Sequence, residues 1–177
     1  MESEELPVPG VRELEHTADV GLEVTAPTLP ELFRRAALGA MWLVLDREPE
    51  RPGGEVPDPE AGVRGGQSDP KNVRRSGREI RVLELVEEDL PSLFRSWLRT
   101  LLYWEETEGF VVLDSAVTLA PAPLGSSLDG RAFGLRARVS GQLDHGPRIR
   151  EIKGVTLHGL RVEQLEEAWL GRVIFDV

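Results

Sequence analysis

No cysteine occurs in the chain, so disulfides, thiolate metal sites and a cysteine nucleophile are excluded. Histidine is scarce, with three residues, and no His-x-x-x-His pair suggests a zinc helix. Basic residues are outnumbered, 21 Lys and Arg against 31 Asp and Glu, for a formal charge of −10 and a pI near 4.9. A general nucleic-acid binder needs a basic face to neutralise phosphate, which this balance argues against. It suits an acidic cytosolic protein, a cation site or a partner with a basic surface. No apolar run approaches the roughly 18 residues that suggest a membrane span. The start, Met1-Glu2-Ser3-Glu4-Glu5, lacks the basic and apolar regions of a signal peptide. The expected location is the cytoplasm, away from membranes. There is no phosphate-binding glycine loop and no Gly-x-Ser-x-Gly nucleophile elbow.

What is there reads as one α+β domain over residues 11–177, with two amphipathic helices packed on mostly antiparallel β-sheet. Residues 1–10, acidic and carrying Pro7, Pro9 and Gly10, read as a flexible tail. Val11 to Glu15 and Leu22 to Ala26 read as strands, with Asp19 and Gly21 in the connection between them. Thr28-Leu29-Pro30-Glu31 is a capping-box pattern, in which Thr28 caps a helix over 29–44 and Glu31 reaches back. Residues 46–78 hold Pro49, Pro52, Pro57, Pro59 and Pro70, six glycines and almost no large apolar side chain. Such a stretch cannot bury enough surface to offset its ordering entropy and reads as a disordered surface loop. A small basic cluster, Lys71, Arg74, Arg75 and Arg78, lies near its end.

Ile80 to Val86 alternates as a strand, and Asp89 caps a second helix over 90–106. Leu29-Pro30-x-Leu32-Phe33-Arg34 matches Leu90-Pro91-x-Leu93-Phe94-Arg95, which fits an internal duplication and equally two similar caps arising by chance. Further strands are expected at 110–119, 132–141, 148–155, 160–165 and 169–176, with a turn-rich connection from Pro121 to Asp129. Trp42, Trp97, Trp104 and Trp169 sit in these helices and strands and read as core.

Two stretches draw the chemistry together. Glu15-His16-Thr17-Ala18-Asp19-Val20-Gly21 places an aspartate, a histidine and a hydroxyl within seven residues, and Arg172-Val173-Ile174-Phe175-Asp176-Val177 ends on an aspartate side chain and a main-chain carboxylate. If the two stretches meet, Asp19, Asp176 and the Val177 carboxylate offer oxygen donors suited to Ca²⁺, Mg²⁺ or Mn²⁺. The plainer alternative makes Asp19 a turn residue and Asp176 a solvated end. Lys153-Gly154-Val155-Thr156-Leu157-His158 would put Lys153, Val155 and Leu157 on one strand face, with His158 at the strand end. His16 and His158 read better as hydrogen-bonded supports than as ligands, and His145 as an exposed turn residue.

These three motifs, in this order, resemble those of the archease family, and the likeness runs from about residue 12 to 177. The stretch 46–78 is longer and richer in Pro and Gly than in a typical member. The resemblance implies an accessory factor of the RtcB-type RNA ligase, which joins RNA ends in tRNA splicing or RNA repair through a guanylyl-histidine formed from GTP. The factor would promote guanylylation and multiple turnover, and would not itself be a ligase. RNA would be contacted only through the ligase. The resemblance carries over Asp19, Asp176 and Val177 as ligands of a divalent cation and Lys153 as a functional residue beside them. Two other classes remain open: a chaperone-like assembly factor for RNA-processing enzymes, and a stand-alone metal-dependent hydrolase.

Overall fold

The structure, a computed structural model, describes residues 3–15, 19–45, 78–121 and 132–177. The expected loop at 46–78 lies outside the described residues, apart from Arg78, and so does 122–129 of the turn-rich connection. The chain runs β1 (Ser3–Glu5), β2 (Val11–Glu15), β3 (Asp19–Ala26), α1 (Leu29–Leu45), β4 (Arg78–Glu87), α2 (Leu90–Glu108), β5 (Phe110–Pro121), β6 (Phe133–Leu143), β7 (Gly154–Val155), β8 (Arg161–Gln164) and β9 (Trp169–Asp176). These strands form two antiparallel sheets. One has the order β1-β2-β3-β9-β7, with β8 also paired to β9; the other has the order β4-β6-β5. The expected α+β class holds.

The two helices play different parts. In α1, Leu32, Phe33, Ala36, Ala37, Leu38, Ala40, Met41, Leu43, Val44 and Leu45 are all buried. A helix apolar nearly all round must be covered on several sides. Accordingly α1 touches β2, β3 and β9 of one sheet and β5 of the other. α2 buries a single stripe, Leu93, Phe94, Trp97, Leu98, Leu101 and Leu102, the spacing expected of an amphipathic helix with one face in water. The two helices meet where their sequences match. Phe33 and Phe94 pack edge to face with centroids 5.2 Å apart, and Trp97 Nε1 donates to the Phe33 carbonyl at 2.9 Å. Such an aromatic pair adds about 0.5–1.5 kcal/mol beyond its buried area.

Asp89 caps α2 by accepting from the Ser92 amide at 2.7 Å, and Gly109 closes it at φ 68. The cap of α1 is one-sided. The Glu31 amide donates to Thr28 Oγ1 at 3.4 Å, but the Glu31 carboxylate does not reach back: Arg34 and Arg35 hold it at 3.2 and 2.9 Å. Arg34 also donates to Asp114 at 2.6 Å, where the β5–β6 register shifts between Val112 and Asp114. Burial alone would lower the Arg34 pKa, but Asp114 and then Glu31 outweigh it, so the guanidinium stays above its ordinary value.

Three segments differ from expectation. The first ten residues contain β1, which pairs with β2, and Leu6 beside it is buried. The pairing uses main-chain groups, so the acidic side chains can stay in water. Asp19 and Gly21 are not in a connection but inside β3. Of 148–155, only Gly154–Val155 is strand. The residues before it are fastened by single anchors instead: Arg148 donates to the Glu105 carboxylate and to the Gly146 and Asp144 carbonyls, and the Ile149 amide to the Val44 carbonyl. Among the tryptophans, Trp97 is fully buried and Trp42, Trp104 and Trp169 pack partly buried against the core.

Candidate functional site

β9 is the strand that assembles the site, because β3 and β7 both pair with its carboxyl end, while β8 pairs with its first half. Val173, Ile174 and Phe175 are all buried, so both faces of the strand are covered there, and the ladder with β3 runs unbroken from Asp19–Asp176 to Ala26–Trp169. In that register Asp19 lies directly opposite Asp176, Val20 opposite Phe175 and Gly21 opposite Ile174. The aspartates expected from distant parts of the sequence are therefore cross-strand neighbours, with Cβ atoms about 5 Å apart by ordinary antiparallel geometry.

Gly21 makes this closeness possible. A Cβ added there would lie 2.9 Å from Ile174 Cδ1 and 2.9 Å from Leu14 Cβ. A larger residue would push β3 away from its neighbours. Asp19 is partly buried and Asp176 is exposed. Val177 is partly buried and its side chain packs against the core, which holds the end of β9 in place.

The third motif closes the other side of β9. Gly154 lies opposite Asp176 and Val155 opposite Phe175, while the Lys153 amide donates to the Asp176 carbonyl at 2.8 Å and the Thr156 amide to the Ile174 carbonyl at 2.9 Å. Asp176 is thus flanked by Asp19 on one side and by Lys153 and Gly154 on the other. The motif is not one long strand face. Lys153 is exposed, Val155 is buried, and beyond the strand Leu157 is exposed and the chain turns through Gly159 at φ 63. His158 is exposed in that turn. His16 lies outside the described residues, as do Thr17 and Ala18. His145 is exposed beside the Asp144–Gly146 turn, which the Gly146 amide closes on Asp144 Oδ1 at 2.7 Å.

Among the described residues, no three His, Cys, Asp or Glu side chains gather as a metal-holding group. The carboxylate side chains brought together here are two, Asp19 and Asp176, with Val177 following directly. One participant was not evident from sequence. Arg95 on α2 donates from Nε to the Val155 carbonyl at 2.8 Å and ties the helix to β7. Its only advance signal is the spacing Arg95-x-x-x-Arg99-x-x-x-Tyr103, which lines up residues on one helix face. Among the described residues, no helix is long and apolar enough to cross a membrane.

Known proteins resemble this chain over most of its length. The model of the archease protein family (MTH1598/TM1083) matches residues 12–65 and 61–177. Protein archease of Thermococcus gammatolerans is 30% identical over 164 residues, covering 92% of this chain and 95% of that protein. Protein archease of Methanosarcina acetivorans is 28% identical over 167 residues, covering 93% of each. The solution structure of Methanobacterium thermoautotrophicum protein 1598 superposes with a TM-score of 0.60 at 24% identity, over 95% of this chain and 99% of the other, which shows a common fold. The chain belongs to the archease family.

Proposed function

We propose that this protein is not an enzyme but an accessory factor that activates an RtcB-type RNA ligase in tRNA splicing or RNA repair. In this reading it promotes the ligase's GTP-dependent guanylylation and multiple turnover through a divalent cation held by Asp19, Asp176 and the Val177 carboxylate. The observation that carries the reading is the in-register pairing of Asp19 with Asp176. Two carboxylates directly opposed repel, and a cation between them removes that cost.

The donor set fits a hard cation: it is all oxygen, and anionic. It is also incomplete. Ca²⁺ takes roughly six to eight oxygens, more than two side chains and one chain end supply. Exposure of Asp176 leaves room for a partner's oxygens to complete the shell, so the cation is best suited to sharing with a second molecule. Lys153, fastened by its amide to the Asp176 carbonyl, adds a positive charge beside the carboxylates. Phosphoryl transfer depends on positioned charge, and each ~1.4 kcal/mol of electrostatic help gives about tenfold in rate.

The test measures ligase–GMP formation and multiple-turnover RNA joining by the cognate ligase, with and without this protein. Asp176→Ala, Lys153→Ala and an extension beyond Val177 should each fold normally and lose stimulation. Stimulation equal to the unmodified protein by all three would reject the site and favour a chaperone-like assembly role. Turnover of phosphate esters by this chain alone would instead favour a hydrolase.

A further inference from the structure

Beside the carboxylate pair, on the far side of β7, a cleft of about 290 Å³ opens between α2 and the start of that strand. We infer that this cleft is a phosphate-binding site that takes a free nucleotide. The inference goes beyond the cation reading above and does not depend on it.

The observation is a local reversal of charge. On a chain of net charge −10, the walls of this cleft carry Arg95, Arg99 and Lys153 against a single carboxylate, Glu106. Elsewhere several arginines are matched to acids: Arg34 to Asp114, Arg81 to Glu79 and Glu108, Arg148 to Glu105, Arg150 to Glu13. Among the described residues, neither Arg99 nor Lys153 has an ion pair. Arg95 is already oriented, because its Nε–H is spent on the Val155 carbonyl, which leaves the outer guanidinium N–H groups for another acceptor. Like charges one helical turn apart repel each other. An anion between them turns that repulsion into attraction.

The geometry selects the kind of anion. Arg95, Arg99 and Tyr103 follow at intervals of four residues on one face of α2, so each step advances about 6 Å along the helix. Guanidinium groups at that spacing, faced by Lys153 from the opposite wall, match a short run of phosphates, for which Arg provides forked donors and Lys a point charge. Nothing lies within 4 Å of where a Cβ would sit on Gly154, so the wall there is open. Tyr103, the chain's single tyrosine, is 59% exposed at the next turn and offers a ring on which a base can stack. The volume is near the lower end of small-molecule sites. A nucleotide fits these features better than a long phosphodiester strand, which would need a basic groove extending past the cleft.

Isothermal titration calorimetry on the full chain in low salt with EDTA separates this site from any cation site. Inorganic triphosphate and ATP should both bind, ATP more tightly. Arg99→Glu should weaken both by at least about tenfold, the loss of one charge-assisted contact, and Arg99→Lys should weaken them less. Adenosine should bind much more weakly than ATP. Arg99→Glu should keep the calcium-dependent thermal shift of the unmodified protein, so failure here and failure of the cation reading are distinguishable. No binding of triphosphate, or equal binding by Arg99→Glu, would overturn the inference. Tighter binding of a single-stranded decaribonucleotide than of ATP would overturn the assignment to a nucleotide.

Discussion

Replacing Asp176 by Asn should make the protein more stable without cations and less stable with them. The register puts Asp176 opposite Asp19, and two unit charges about 5 Å apart repel by roughly 0.8 kcal/mol at the dielectric of water. Exposure of Asp176 places the pair near that limit, within the ~0.2–1 kcal/mol range of cross-strand pairs. For a chain of this size, 1 kcal/mol moves the midpoint by about 2–4 °C, so Asp176→Asn in EDTA should melt about 1–3 °C higher. Raising the salt should shrink that gap, because exposed charges are screened. Calcium at about a hundred times its Kd stabilises the unmodified protein by about 2.7 kcal/mol. A variant that binds tenfold more weakly gains only about 1.4 kcal/mol at the same concentration. The lost ~1.3 kcal/mol exceeds the ~0.8 kcal/mol of relieved repulsion, so the order of midpoints inverts. Scanning calorimetry of both proteins in EDTA and in calcium reads this directly. The reasoning is refuted if Asp176→Asn is the less stable protein in EDTA, or if calcium raises both midpoints equally.

Two predictions concern the scaffold. Gly21→Ala should cost about 1–3 kcal/mol in urea unfolding, because the new Cβ meets Ile174 and Leu14 at 2.9 Å each in a packed sheet; an unchanged midpoint would show that β3 yields freely. Arg148→Ala should cost about 3–5 kcal/mol, since it strands Glu105, whose side chain is only 8% exposed. The double variant with Glu105→Ala should recover part of that loss, and a strictly additive loss would show that the pair does not act as a unit.

The sequence was most readable where burial dictates pattern. In β6, Leu135, Ala137 and Val139 alternate with Arg136 and Arg138, and the apolar set is buried as expected. Both helices were legible from their caps and apolar faces. Gly21 misled because glycine commonly breaks strands, whereas here it admits the Leu14 and Ile174 side chains. β1 was illegible for the opposite reason: its pairing with β2 is main-chain hydrogen bonding, which Ser3-Glu4-Glu5 does not advertise in side chains. The capping box failed on Glu31 because Arg34 and Arg35, one turn on, compete for the same carboxylate. At the site, Asp19 and Asp176 could be named from sequence, but their exact opposition depends on register. The cationic cleft was harder still, since it joins α2 to Lys153 across the tertiary structure.

The order of strands also says when the carboxylate pair can form. β3 and β9 come from the first and last parts of the described chain, and between them in sequence lie both helices and the whole of the second sheet. Their pairing is a long-range contact, whose loop-closure cost must be met before it is rewarded. α1 spans that gap in the native structure, because it packs on β3 and β9 and also on β5. Asp176 is therefore opposed to Asp19 only in the completed fold. A cation bound by both carboxylates would bind the native state and not the unfolded chain, which is the condition for its affinity to appear in full as stability. It would also leave the unfolding slope in denaturant unchanged while moving the midpoint, because the surface exposed on unfolding stays the same. Urea titrations with calcium and with EDTA that differ in slope rather than midpoint would place the cation's effect on a partly folded form and separate it from the β3–β9 register.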